Sequence, residues 1–295
     1  MNQAAVLSHS GEPEAGGGAW KEVRLVRSAG AELFLRIGAV PGEIAAEVVI
    51  THGLGEHSGR YAHVAEVLAQ RGLRSWVYDV RGHGRSTGRR GDAVRYEDLL
   101  GDLECICGEA QREGRRIFLM GHSMGAQITL NLLLSRQVDC AGAVIASPWL
   151  HLAFDPPRWR RWLAYAAAAI LPMLRQPTLS LPEHLSRDPT HVAALADPHL
   201  TYHLVSARLY LALRKGGLAA LEKAADFSTP VLLLHGGADA VTCFAATRQF
   251  FERAGSVDKQ FLLYPEAVHE TLNDLGREVV LQDVADWLGK RAGQS

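Results

Sequence analysis

Gly121-His122-Ser123-Met124-Gly125 is a G-x-S-x-G pentapeptide. It follows the apolar run 117–120 directly and precedes the helical run 126–134 directly. Such pentapeptides arise by chance. The strand–turn–helix setting gives this one weight, because it makes a sharp elbow that lifts a serine hydroxyl clear of the backbone. Glycines at 121 and 125 remove Cβ atoms that would collide in that turn. The hydroxyl then stands at a helix N-terminus, whose partial positive charge favours a developing anion. The chemistry on offer is nucleophilic attack by Ser123 on a carbonyl. The alternative is a serine in an ordinary glycine-rich turn.

A serine hydroxyl is a poor nucleophile near neutral pH and needs a base beside it. When a serine occupies such an elbow, its partners follow along the chain in the order acid, then histidine. The apolar run 231–234 is a later strand, and His235-Gly236-Gly237-Ala238-Asp239 is the loop after it. Asp239 is therefore the candidate acid, weighed against a loop-capping aspartate. Of thirteen histidines only His269 lies beyond Asp239. It sits between a strand-like run and the final helical segment, where a base can reach over a sheet edge, and its alternative is a solvated loop histidine. His269 takes the Ser123 proton and returns it to the leaving alcohol, while Asp239 holds the imidazole tautomer. Two preorganised N–H groups must also face the oxygen that becomes negative. The candidates are the backbone N–H of Met124, next to the nucleophile, and that of Leu54 in the loop His52-Gly53-Leu54-Gly55-Glu56-His57. His52 and His57 have no third ligand at a spacing that suits a metal, so no metal is expected.

Two further stretches carry unusual residue types. Asp79-Val80-Arg81-Gly82-His83-Gly84-Arg85-Ser86 follows a strand but lacks the GxxxxGK[ST] phosphate pattern. It reads as a buried polar network that braces the neighbouring loops. Arg158-Trp159-Arg160-Arg161-Trp162 mixes cations and aromatics. Beside the apolar run 162–174 it reads either as the edge of a lipid-facing surface or as a solvated helix face.

The elements that must position these groups alternate along the chain. Residues 21–28 and 31–38 form a hairpin around Ala29-Gly30. Strand-like runs follow at 47–51, 74–79, 117–120, 141–146, 231–234 and 260–264. Most are apolar throughout, as expected of strands covered on both faces. Helical segments lie at 61–71, 94–113, 124–136, 243–254 and 273–290. This alternation predicts a mainly parallel sheet with right-handed crossovers. The rhythm breaks from 148 to 229, which contains no convincing strand. Its helical segments at 158–174 and 200–215 are punctuated by the seven prolines from Pro156 to Pro198, and it reads as a helical cap inserted between two strands. The expected organisation is a loose tail at 1–19, a core at 20–147 and 230–295, and a cap at 148–229.

Composition narrows the function classes. Lys and Arg number 31 and Asp and Glu 32, so no global field draws in nucleic acid. The four cysteines have no zinc or redox spacing and read as free thiols. The first twenty residues lack the basic start and apolar core of a signal peptide. The run 162–174 is too short to span a bilayer and contains Pro172. A soluble, cytoplasmic protein is expected.

With these residues in hand, the chain resembles the monoacylglycerol lipase and lysophospholipase group of α/β-hydrolases. His52-Gly53-Leu54-Gly55-Glu56-His57-Ser58-Gly59-Arg60-Tyr61, the stretch 79–91, the pentapeptide at 121–125 and the Asp239 and His269 loops match that group in order, over about residues 20 to 290. The resemblance implies an α/β-hydrolase fold: a mostly parallel eight-stranded sheet with helices on both faces and an inserted helical cap. It implies a carboxylic ester hydrolase that needs no cofactor and takes a small-molecule acyl ester, one chain at a time. Ser123, Asp239 and His269 would form the triad, and Leu54 and Met124 the oxyanion hole. The cap would line the acyl pocket and touch membranes or micelles transiently. Leu54 stands where relatives often carry a small residue, and Asp274 where they often carry Glu. A same-triad acyltransferase, thioesterase or peptidase is the second enzyme reading. A non-catalytic ligand-binding protein of this fold is the reading from another class.

Overall fold

The computed structural model describes residues 6–9, 20–27, 30–154, 157–178, 181–195 and 197–293. The strands of the main sheet are β1 (Val6–His9), β2 (Trp20–Val26), β3 (Glu32–Gly38), β4 (Ala46–Thr51), β5 (Leu73–Tyr78), β6 (Ile117–His122), β7 (Gly142–Ala146), β10 (Val231–Gly236) and β11 (Lys259–Tyr264). They lie in the order β1-β2-β3-β5-β4-β6-β7-β10-β11. The pairs from β5 through β11 are parallel, and β1·β2, β2·β3 and β3·β5 are antiparallel. Eight of these strands are those expected from the sequence. The ninth, β1, pairs with β2 inside the stretch read as a loose tail. Residues 1–5 and 10–19 lie outside the described residues, as does Ala29 of the hairpin turn.

The helices are α1 (Ala62–Ala69), α2 (Tyr96–Ala110), α3 (Met124–Ser135), α4 (Arg158–Ile170), α5 (Pro182–Leu185), α6 (Pro189–Ala194), α7 (Ala207–Glu222), α8 (Phe244–Arg253) and α9 (Arg277–Ala292). One face of the sheet packs Leu99, Leu103 and Ile106 of α2 and Ile128 of α3 against Leu33, Leu35, Val49 and Leu119. The other packs Val64 and Leu68 of α1 and Val284 and Leu288 of α9 against Val48, Ile50, Phe118 and Val144. Alternate residues of each central strand thus enter opposite cores, which explains why those strands are apolar at nearly every position.

Residues between β7 and β10 hold α4 to α7 and a short antiparallel ladder, β8 (Arg175–Pro177) with β9 (Leu204–Ser206). Three residues per strand are too few for a period of two to show in the sequence. Helix α4 stops at Ile170, ahead of Pro172, because the residue before a proline is driven out of the helical region. Helix α7 starts later than the apolar pattern suggests. Ser206 caps it, its hydroxyl accepting the Leu209 N–H at 3.1 Å, and this fixes the boundary.

The register brings the loops of interest level. Thr51 at the end of β4 pairs with both Tyr78 and Gly121, and Ala146 pairs with both His122 and Leu234. From β4 the chain first builds outward to β5 and then crosses back to β6. The crevice above β4 and β6 is the point where winding direction reverses, which is where open parallel sheets place their sites.

Candidate active site

Ser123 sits between the end of β6 and the start of α3 with φ 53° and ψ −115°. A non-glycine residue in that region is strained, and strain of this kind persists only where surroundings over-determine it. Here the constraints are visible. The Ser123 N–H donates to Ala146 O at 3.0 Å, extending the β6–β7 ladder, and Ser123 O accepts from Gln127 N–H at 3.1 Å, starting the helix. Gly125 packs so tightly on β4 that a Cβ there would stand 2.1 Å from Thr51 O. The elbow is therefore wedged against the next strand.

The Ser123 hydroxyl lies 2.9 Å from His269 Nε2 and donates to it. His269 Nδ1–H donates to Asp239 Oδ2, also at 2.9 Å. These side chains come from three loops at the ends of β6, β10 and β11, and all three are buried. Burial alone pushes the Asp239 carboxyl up. The adjoining His269 ring and hydrogen bonds from His269 and Thr242 outweigh it and hold Asp239 well below the usual carboxylate range. The arrangement presents a hydroxyl, an acceptor nitrogen and an orienting anion in line.

Leu54 and Met124 flank the same point. Met124 opens α3, so its N–H is among those without an acceptor in their own helix. Gly53, one residue before Leu54, runs so close that a Cβ on it would stand 3.3 Å from Ser123 Cβ. Above Ser123 lies a cavity of about 790 Å³. Ser123 and His269 form its floor, and Leu54, Trp149, Leu163, Ala167, Tyr210 and Val241 are among its walls. Most of its roof comes from the segment between β7 and β10.

Residues 42–276 match the family model described as Hydrolase_4, serine aminopeptidase S33. The chain belongs to this family of α/β-hydrolases. An uncharacterized abhydrolase domain-containing protein of Dictyostelium discoideum is 30% identical over 83% of this chain, which spans only 26% of that protein's length. A monoacylglycerol lipase of Mycolicibacterium smegmatis is 31% identical over 82% of this chain and 87% of its own. The crystal structure of a Paleococcus ferrophilus monoacylglycerol lipase superimposes with a TM-score of 0.80 at 30% identity, covering 88% of this chain and 99% of that one.

In this α/β-hydrolase the stretch 79–86 braces the loops, as its residue types suggest. Asp79 accepts the Ser58 N–H at 2.6 Å and the Arg85 N–H at 2.6 Å, and the Ser86 hydroxyl donates to Asp79 O at 2.5 Å. Both His52 nitrogens are engaged by backbone: Nδ1–H donates to Gly53 O at 2.7 Å and Nε2 accepts the Val80 N–H at 2.9 Å. Among the described residues no group of three or more His, Cys, Asp or Glu is placed to hold a metal ion. No described helix is long and apolar enough to cross a membrane.

Two features lie beyond what the sequence pattern reveals. One is a buried ionic cluster of Glu56, Arg60, His122 and Glu270. Arg60 donates to both Glu270 oxygens, at 3.0 and 2.7 Å, and its other partner is Glu56 Oε2 at 3.3 Å. Glu56 and Arg60 are four apart, the one signal that could have paired them; Glu270 is 210 residues away from Arg60. The other is a strap at residues 184–188 that is laced to the His269 loop. His269 N–H donates to His184 O at 3.4 Å, Glu270 N–H to Leu185 O at 2.9 Å, Ser186 Oγ to Asn273 O at 2.9 Å and Arg187 N–H to Asp274 Oδ1 at 2.7 Å. Arg277 pairs with Asp188 beyond them. Asp274 also accepts the Val268 N–H, at 3.0 Å, which gives the short acid a role in both segments.

Proposed function

We propose that this protein hydrolyses single-acyl lipid esters, such as a monoacylglycerol or a lysophospholipid, with Ser123 as nucleophile, His269 as general base and Asp239 as the orienting acid. The observation that carries this reading is the Ser123–His269–Asp239 hydrogen-bond chain at the floor of a mainly apolar cavity. An acyl chain lies among Leu163, Ala167 and their neighbours, with its ester carbonyl over Ser123. His269 takes the hydroxyl proton as Ser123 Oγ bonds to the carbonyl carbon, and the oxygen becomes negative facing the Leu54 and Met124 N–H groups. Collapse breaks the ester C–O bond, and the alcohol leaves with the proton from His269. Water then repeats the sequence and releases the fatty acid. Residues 148–229 serve as the cap of this pocket, and relatives named as monoacylglycerol lipases support the substrate class.

The apolar face of α4 fits a transient contact with membranes or micelles. Trp162 is 75% exposed and Ile170 76%, beside the cavity lined by Leu163 and Leu171. Contiguous exposed apolar side chains at a pocket mouth mark an interaction surface.

A fluorophosphonate probe with mass-spectrometric mapping tests the nucleophile, and nitrophenyl esters of graded chain length test the substrate. The expected adduct is on Ser123, with turnover rising with acyl length. An adduct on another serine overturns the assignment. Turnover of thioesters or peptides in place of oxygen esters moves the protein to the second enzyme reading, and inertness to all of them favours a binding protein.

A further inference from the structure

The ionic cluster beneath the elbow holds a histidine whose two ring nitrogens both face acceptors. His122 Nε2 lies 3.3 Å from the backbone oxygen of His269, which has no proton to give. Its Nδ1 lies 2.9 Å from Glu56 Oε1. One proton must sit between Nδ1 and that carboxyl, and Arg60, 3.3 Å from Glu56 Oε2, stabilises the ionised carboxylate and leaves the proton on the ring. The contrast with His52 is direct: that ring faces one backbone acceptor and one backbone donor, and both are satisfied by a neutral imidazole.

Charge balance leads to the same place. Glu56, Arg60, His122 and Glu270 are each at most 5% exposed. With a cationic His122 the two carboxylates meet two cations. With a neutral one, the cluster carries a net negative charge out of water, and an uncompensated buried charge is strongly destabilising.

We infer that His122 is a permanently protonated positioning residue, a fixed imidazolium that ties the Glu56 loop to the His269 loop. The His122 and His269 ring centroids are 4.8 Å apart, so the fixed ring packs directly against the one that meets Ser123. The groups around His122 come from four elements: Glu56 from the loop after β4, Arg60 from the following turn, His269 and Glu270 from the loop after β11, and Asp239 with His235 behind His269. Burial works against the charge on His122, and the Glu56 carboxylate outweighs it, with Glu270 and the His269 carbonyl adding, so that His122 titrates above the ordinary histidine range.

The test is an imidazole 15N titration of the full-length protein, with His122 identified by its loss in His122→Gln. Both His122 nitrogens are expected to remain protonated from pH 6 to pH 9, and Glu56→Gln is expected to return the ring to ordinary titration. A bare ring nitrogen on His122 at pH 7 overturns the inference whether or not any ester is turned over. If His122→Gln does not fold, Glu56→Gln supplies the assignment, as the variant in which the His122 signals alone begin to titrate.

Discussion

Thr242 donates its hydroxyl to Asp239 Oδ2 at 2.6 Å, the same oxygen that receives the His269 Nδ1–H. The other oxygen, Oδ1, accepts the Val241 and Thr242 N–H groups at 2.7 and 2.9 Å. The loop after β10 therefore grips the carboxylate from both sides before the imidazole meets it. Thr242→Val keeps the shape and removes only the hydroxyl donor. A hydrogen bond to a charged group contributes about 1.5 kcal/mol at the lower end, so kcat should fall roughly tenfold, with KM for a soluble ester little changed. Thr242→Ser should retain most activity. Steady-state kinetics of the pair decide; a wild-type kcat in Thr242→Val would mean that the backbone donors suffice.

Ser123→Ala should lower kcat by roughly 10³–10⁶, the span seen when a triad nucleophile is removed. The melting temperature should hold or rise, since the strained serine is not itself a packing element. Near-normal turnover in a clean preparation would sink the proposed chemistry.

Two Gly→Ala substitutions should behave oppositely. At Gly125 the new Cβ meets Thr51 O at 2.1 Å and His52 O at 2.5 Å, both backbone atoms with nowhere to go. A cost on the order of 3 kcal/mol or more is expected, together with loss of activity. At Gly108, exposed within α2, a Cβ meets nothing within 4 Å. There alanine should stabilise by about 0.5–1 kcal/mol through helix propensity. Urea unfolding of both variants checks the contrast.

Acid should weaken the fold partly through His235. Burial lowers its pKa to about 4, despite the opposing pull of Asp239, with Oδ2 3.3 Å from its Nε2. In the unfolded chain it titrates near the usual 6.5. Between those values the unfolded state holds a proton that the folded state does not, so stability rises with pH there and falls as pH drops from about 6.5 to 4. This residue alone contributes up to about 3 kcal/mol of that loss. His52 and His83 are lowered by burial in the same direction, so His235→Gln should make the pH dependence shallower without abolishing it. Urea midpoints at pH 7 and pH 4.5 report it; equal slopes in variant and parent would count against this account.

Trp162→Glu combined with Ile170→Glu should leave turnover of a short soluble ester near normal and reduce the gain in rate above the critical micelle concentration. Both side chains are about three-quarters exposed, Ile170 at the rim of the cavity, so the fold should tolerate the change. Equal micellar activation in parent and variant would remove α4 as a lipid-contacting surface.

That Ser123, Asp239 and His269 meet was legible in the sequence because each lies in a loop after a short apolar run of strand length, and such loops gather at one end of a parallel sheet. The eight strands were legible for the same reason. Less legible were features set by contacts between distant segments. Nothing in Glu270 or Arg60 alone announces that they meet across 210 residues. The start of α7 depends on the Ser206 cap, which the helical period in 200–215 does not register. The strap at 184–188 reads as an irregular proline-flanked stretch, since its meaning lies in backbone bonds to the His269 loop.

That strap has a consequence for how freely the region between β7 and β10 can vary. Its α4 end presents side chains to the cavity and to solvent, and redrawing them alters what fits beneath. Its 184–188 end supplies the carbonyls on which the loop of the base hangs. A chimera that swaps 158–178 should inherit a donor's taste and keep its own turnover, whereas one that swaps 184–188 puts the base itself at risk. Evolutionary latitude is thus spread unevenly along a single segment.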